Sequence, residues 1–207
     1  GTLTFGDTVI SQTFNVTLCA DAVSDPLETV NLALANPTGG ASLTTPNVAV
    51  LTIGDVPPPF SGTYTVGSGG NYPSLTNDGG IFQAINLAGA TGNITIEIIS
   101  DLSGELGTHA LNEITGGYTV LIKPSGAPRT ITGTSAASTG LITLNGADRV
   151  TIDGSTTALA DGPVAVAGND QSLMITNLST GGAVIWIRSA AAGNGATNNT
   201  IRNCVIN

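Results

Sequence analysis

Positive charge is nearly missing from this chain: five Lys and Arg stand against fourteen Asp and Glu, a formal charge of −9 over 207 residues. Nucleic acid is held by cations that displace counterions from phosphates, and no basic stripe exists here, so that class of partner is excluded. Cysteine is equally scarce. Cys19 and Cys204 are too few and too far apart for a disulfide framework, and each reads as a small apolar group in a packed interior. No apolar run reaches the length of a membrane span, so membrane insertion is not expected, and no signal-peptide pattern opens the chain. Gly1 leads at once into strand-like residues and Asn207 ends a patterned stretch, so the chain reads as a fragment of a longer protein.

Charged residues amount to only 9%, whereas there are 28 glycines and abundant Val, Thr, Ser and Asn. Helices draw on Ala, Leu, Glu, Lys and Arg; strands and tight turns draw on β-branched residues with Gly and Asn. The fold class is therefore all-β. Acidity of this kind keeps a protein soluble, and clustered carboxylates attract calcium.

In residues 1–56, Thr2–Phe5, Phe14–Leu18, Val30–Leu34 and Val48–Ile53 read as short strands. They are separated by Gly6-Asp7, by Asp21 to Pro26, and by Asn36-Pro37-Thr38-Gly39-Gly40. Short strands with such punctuation predict an antiparallel sandwich. The order Gly1-Thr2-Leu3-Thr4-Phe5, Phe14-Asn15-Val16-Thr17-Leu18, an acidic loop, Glu28-Thr29-Val30-Asn31-Leu32-Ala33-Leu34 and Val50-Leu51-Thr52-Ile53-Gly54-Asp55 resembles the second half of a Calx-beta domain. That resemblance implies a partial sandwich whose loop carboxylates bind calcium. Asp21, Asp25, Glu28 and Asp55 stand at the matching positions. Leu27 replaces an acid common in the family, and Val56-Pro57-Pro58 replaces its aspartate run.

Residues 57–62 hold the proline run Pro57-Pro58-Pro59, expected as an extended linker. From residue 63 to 207 the pattern changes. Tyr64–Gly67 reads as a first strand. Ile81, Phe82, Ala84, Ile85 and Ala88 then fall at amphipathic helical spacing, with Asn77 or Asp78 as the expected cap and Gly89 as the stop. Short apolar strands follow in two series. One is Tyr118–Ile122, Leu141–Leu144 and Val184–Ile187; the other is Val150–Asp153, Leu173–Thr176 and Thr200–Asn203. Recurrence at roughly 20–30 residues with Gly and Asn at the bends predicts a solenoid, since each repeat buries its apolar side only against the next.

The helix, Gly146-Ala147-Asp148-Arg149-Val150-Thr151-Ile152-Asp153-Gly154 and Asn198-Asn199-Thr200-Ile201-Arg202-Asn203-Cys204-Val205-Ile206 resemble the N-terminal part of a right-handed parallel β-helix of the pectin-lyase-like type. The resemblance implies a helix capping the first turn and stacked amides at Asn199 and Asn203. It specifies fold far better than chemistry, because the same scaffold serves lyases, hydrolases and adhesins.

No catalytic residue emerges. A glycan-cleaving site needs paired carboxylates, or a carboxylate with a Lys or Arg base, on one face. Asp148, Arg149, Asp153, Asp101, Glu105, Glu113 and Lys123 are available, but strand alternation sends Asp148 and Asp153 to opposite faces, and Asp153-Gly154 reads as a corner. His109 has no His or Cys companion and reads as a hydrogen-bonded surface residue. Trp186, inside an apolar strand, is expected in core packing or at a ladder position rather than as a sugar platform. Together these features point to a non-enzymatic structural or adhesive piece of a secreted or cell-surface protein, facing an extracellular glycan or surface protein. The alternatives are the N-terminal part of a polysaccharide lyase or glycoside hydrolase, and a calcium-binding module.

Overall fold

The computed structural model describes residues 1–17, 28–53, 58–157 and 170–207. They divide into two compact units, Gly1–Asp55 and Val56–Asn207. Both are built from strands, with one short helix in the second.

In the first unit, β1 (Glu28–Ala33) pairs antiparallel with β2 (Val48–Ile53), Val30 lying opposite Leu51 and Leu32 opposite Ala49. Two of the four expected strands are thus present. Thr2–Phe5 and Phe14–Thr17 form none, and Phe5 and Phe14 are each 55% exposed. The physical reason is the lack of a neighbour. An extended segment becomes a strand only where another chain takes its N–H and C=O groups and covers its apolar side. Among the described residues nothing does so for these two runs.

The second unit contains, in chain order, β3 (Phe60–Val66), α1 (Ile81–Ala88), β4 (Ala90–Ile98), β5 (Leu102–Glu105), β6 (Leu111–Asn112), β7 (Val120–Pro124) and β8 (Arg129–Gly133). After these come β9 (Gly140–Asn145), β10 (Val150–Asp153), β11 (Leu173–Asn177), β12 (Ala183–Arg188), β13 (Thr200–Arg202) and β14 (Cys204–Ile206). They assemble into three sheets of orders β13-β10-β7-β4-β3, β14-β11-β8-β5 and β12-β9-β6, with every strand pair parallel. From β4 onward the chain visits the three sheets in a fixed order, taking one strand in each before returning to the first.

Register places like side chains side by side. Ile96, Ile122, Ile152 and Ile201 are successive Cα partners in the first sheet, and Leu102, Ile131, Ile175 and Ile206 in the second. Leu111, Leu144 and Ile187 line up in the third. Most are buried in one common core, and each fully buried Ile or Leu contributes about 1.5–3 kcal/mol relative to exposure. At the edge strands that cover weakens: Ile187 is 44% exposed and Ile206 47%.

This sorting corrects both sequence series. Tyr118–Ile122, grouped with Leu141–Leu144 and Val184–Ile187, contributes to β7, which pairs with β4 and β10; β9 and β12 pair with each other. Leu173–Thr176 lies in β11 beside β8 and β14, not beside Val150–Asp153. The first strand also begins earlier than expected, at Phe60, whose ring is buried within the stretch read as linker.

The helix covers the interval expected, but its cap does not. Gly80 is the N-cap and no side chain bonds to the free amides. Instead the N–H groups of Ile81 and Phe82 donate to the carbonyls of Ser74 and Leu75, so the Asn77 and Asp78 side chains are released for other partners. Gly89, at φ 70°, ends the helix as expected by donating to the Ile85 carbonyl. Ile81, Phe82 and Ile85 point into the core, and the helix packs on β3 and β6, strands of two different sheets.

Candidate functional site

Three groups of polar residues stand out once the strands are in place. The first consists of carboxylates that fasten neighbouring strands. Asp153, at the end of β10, is wholly buried. Its Oδ2 accepts a 2.6 Å hydrogen bond from Arg202 Nε, and its Oδ1 accepts from Asn203 Nδ2 at 2.9 Å and from the Ser155 N–H at 3.0 Å. Gly154 is obligatory beside it, because a Cβ there would lie 1.7 Å from the Asn203 carbonyl oxygen. The corner read at Asp153-Gly154 is therefore also a cross-strand ion pair.

Glu105 is likewise buried, at 2% exposure. Its Oε1 accepts from Ser74 Oγ at 2.7 Å and the Leu75 N–H at 3.0 Å; its Oε2 accepts from the Thr76 N–H at 2.8 Å and the Thr76 hydroxyl. Four donors replace its water and tie β5 to the segment that leads into α1. Asp148 accepts from the Thr197 N–H at 2.6 Å and its hydroxyl at 2.8 Å, and these bonds hold its carboxyl below the usual range. Asp170 accepts from the hydroxyls of Ser155, Thr156 and Ser172 and from the Thr156 N–H. Led by the Ser155 bond, this set holds Asp170 far below the normal carboxylate range.

The second group lines an open cleft of about 530 Å³ between Gly67–Gly70, Ser74, Asn77, Asp78 and Ser100–Ser103, with Glu105 also in its lining. Its acids already have partners: Asp78 Oδ1 lies 2.7 Å from His109 Nε2, and Asp101 Oδ1 accepts the Thr130 N–H at 2.9 Å. The expected hydrogen-bonded histidine is thus present, with Asp78 as its partner.

The third group is on the outer side of β6, β9 and β12. Ile142 and Leu144 point into the core, so Thr143 and Asn145 point away from it, and their Cα partners Trp186 and Arg188 do the same. The Arg188 guanidinium lies 5.3 Å over the indole of Trp186. Of the two placements expected for Trp186, core packing is thereby corrected. Trp186 is a half-exposed residue on the outer surface, given room by Gly140, where a Cβ would approach Trp186 Cβ to 2.8 Å. Beside it, Asn145 Nδ2 donates to Asn112 Oδ1 at 2.9 Å, a short amide ladder.

The remaining expectations fall as follows. Asp21, Asp25 and Asp55 lie outside the described residues, as does Cys19, and the side chain of Glu28 is also outside them although its backbone opens β1. Among the described residues no group of three or more His, Cys, Asp or Glu is placed to hold a metal ion. Lys123 sits 3.5 Å from Glu97, and Arg149 3.7 Å from Asp148. Asp148 and Asp153 take different partners in 197–203 and form no dyad. Asn199 does bond across strands, but to backbone: its Oδ1 accepts the Val150 N–H and its Nδ2 donates to the Ala147 carbonyl, both at 2.8 Å. Asn203 Nδ2 donates to Asp153 Oδ1. Cys204 is half-buried, and burial pushes its thiol up to about 11. Among the described residues no helix is long and apolar enough to cross a membrane.

No family model, curated protein or solved structure matches this chain.

Proposed function

We propose that this chain is a structural and adhesive part of a secreted or cell-surface protein. Its second unit is a right-handed parallel β-helix capped by α1, and its first is the later part of a Calx-beta-type sandwich acting as a spacer. The observation that carries the reading is the fixed order in which the chain visits three all-parallel sheets, each with a column of like apolar residues facing one core. Successive turns of a coil stacked on one another account for that order, and α1, packed on strands of two sheets, then shields the end of the core.

The use of acidic groups favours scaffold over enzyme. Acid–base work on a glycan needs a carboxylate free to exchange its proton with substrate. Asp101, Glu105, Asp148 and Asp153 instead accept bonds from neighbouring backbone and side chains. A rigid, sparsely charged surface suits a stalk or a glycan-facing wall.

Two measurements test this. Cysteines placed at Thr151 and Thr200, Cα partners on the outer side of β10 and β13, are expected to cross-link within one chain on oxidation; failure to do so speaks against the coil. Incubation with acidic and neutral polysaccharides is expected to release neither reducing ends nor unsaturated sugars. Release that disappears in Asp153→Asn or Asp101→Asn makes the protein an enzyme and ends the adhesive reading.

A further inference from the structure

An asparagine or aspartate followed by glycine carries a reaction of its own. The backbone nitrogen of the glycine attacks the side-chain carbonyl carbon of the residue before it, and no Cβ on the glycine hinders the approach. Four such pairs lie among the described residues: Asp78-Gly79, Asn145-Gly146, Asp153-Gly154 and Asn194-Gly195. The attack needs a nitrogen free to lose its proton, so the partner of that N–H decides which pair reacts.

In three pairs it is taken. The Gly79 N–H donates to Gln83 Oε1 at 2.7 Å, the Gly146 N–H to the Arg188 carbonyl at 2.8 Å and the Gly154 N–H to the Arg202 carbonyl at 3.0 Å. At Asn145 the leaving nitrogen is held as well, since its Nδ2 donates to Asn112 Oδ1 at 2.9 Å. The carboxylates of Asp78 and Asp153 are engaged by His109 and Arg202. The fourth pair differs. Among the described residues neither the Gly195 N–H nor the Asn194 side-chain amide has a hydrogen-bond partner. The Asn194 side chain rests against Gly146, where a Cβ would come within 2.7 Å of its Oδ1. Asn194 ends the turn 191–194, whose first three residues are exposed and which Gly193 closes at φ 82°. A Cβ on Gly195 would meet nothing nearer than 3.6 Å, so its nitrogen has room to move.

We propose that Asn194 is a site of spontaneous covalent modification, converting through a cyclic imide to aspartate and isoaspartate, while the sheet protects Asn145. The Gly195 nitrogen gives its proton to hydroxide and bonds to Asn194 Cγ. The Cγ–Nδ2 bond then breaks and, with a proton from water, ammonia leaves. Water opens the imide at either carbonyl, and no oxidation or reduction is involved. One opening gives aspartate. The other gives isoaspartate, which routes the main chain through the former side chain and adds one methylene to the link between β12 and β13. Each product adds one negative charge to the formal −9. Nothing in this chemistry depends on what the scaffold binds.

Trypsin separates the two asparagines: cleavage after Arg129, Arg149, Arg188 and Arg202 leaves Asn145 in peptide 130–149 and Asn194 in peptide 189–202. The folded full chain is held at mildly alkaline pH, sampled over days and digested briefly. Mass spectrometry then reads a gain of about 1 Da, fragment ions place it at 194 rather than at Asn198 or Asn199, and enzymatic methyl transfer scores isoaspartate. Asn194 is expected to convert at least about tenfold faster than Asn145, because a bonded pair must open locally before it reacts. In denaturing urea the two rates are expected to converge. Gly195→Ala is expected to slow conversion at 194 at least about tenfold, since the methyl crowds the attacking nitrogen. Equal rates in the folded chain, a ratio unchanged by urea, or undiminished conversion in Gly195→Ala overturns the proposal. So does a folded chain left unaltered at Asn194 over a period in which urea-unfolded chain converts both asparagines. The comparison of folded with unfolded parent chain decides the matter without any variant.

Discussion

Replacing Arg202 by Met isolates the cost of a charge sealed between two strands. Asp153 has no exposed surface, and Arg202, its Cα partner in β13, is the one positive group bonded to it among the described residues while remaining 27% exposed itself. Met keeps much of the side-chain volume but removes the 2.6 Å bond, leaving a carboxylate with two neutral donors, Asn203 Nδ2 and the Ser155 N–H. Breaking a fully buried pair from one side costs about 3–5 kcal/mol, and a hydrogen bond to a charged group contributes about 1.5–3 kcal/mol. Water can partly replace a guanidinium that already touches solvent, so the lower end applies: about 3 kcal/mol. For a unit of this size that lowers Tm by roughly 6–12 °C. Asp153→Asn alone is also costly, because its amide nitrogen then faces the Arg202 donor. The pair Asp153→Asn with Arg202→Met removes both conflicts, and its cost is expected to fall about 2 kcal/mol short of the sum of the singles. Urea unfolding followed by Trp186 fluorescence reads the second unit alone, since the first contains no tryptophan. A Met variant within about 0.5 kcal/mol of the parent, or strictly additive singles, refutes the reasoning.

The other predictions are brief. Asp170 has a lowered folded-state pKa, so its contribution to stability is full above the unfolded carboxylate value and is lost as pH falls through the folded one. The stability gap between the parent and Asp170→Asn should be flat from about pH 5 to 8 and shrink below about pH 4; a gap that widens in acid contradicts the assignment. Gly133→Ala and Gly154→Ala would place a Cβ 1.8 Å from the Glu105 carbonyl oxygen and 1.7 Å from that of Asn203, so both should fail to give folded protein. Gly195→Ala, where the nearest atom is 3.6 Å away, should stay within about 0.5 kcal/mol by thermal melting. Cys204, raised to about 11, should react with a disulfide reagent at pH 8 about a hundredfold more slowly than an ordinary thiol in a Cys19→Ser background, its rate climbing about tenfold per pH unit and levelling off only near pH 11. Rapid labelling at pH 8 would place the thiol outside its half-buried setting.

The strands that could be located from sequence are those whose side chains are β-branched in a run. Val48–Ile53, Leu141–Leu144, Val150–Asp153 and Val184–Ile187 all lie in strands. Sorting them into sheets was not possible by spacing, because the links between successive strands differ in length. Asn145 and Val150 lie close in sequence, whereas Asp153 and Leu173 are much further apart along the chain. Strands such as Leu102–Glu105 and Leu111–Asn112 were invisible for another reason: each carries a single inward apolar residue and owes its existence to the strand beside it. Helix α1 showed itself because its 3.6-residue period is local. Its cap did not, because the carbonyls of Ser74 and Leu75 carry no sequence signature. The choice between core packing and a ladder position for Trp186 stayed open because Val184-Ile185-Trp186-Ile187 has no alternation to reveal a face; the available cue was Arg188, two residues on and hence on the same side.

Parallel columns of Ile, Leu and Val do not by themselves fix register, since sliding one strand past another by two residues returns similar side chains to the same core. Polar links have no such freedom. Thr130 N–H finds Asp101 across 29 residues, Val150 N–H finds Asn199 across 49, and Arg202 finds Asp153 across 49. A two-residue slip would strip each of these groups of its partner; the cost is small at exposed Asp101, but for the wholly buried Asp153 carboxylate it exceeds the roughly 1–3 kcal/mol of an ordinary buried polar group. A chain with only 9% charged residues therefore spends several of them on alignment, which explains why the acids that resemble catalytic candidates in sequence are engaged with neighbouring strands in the fold.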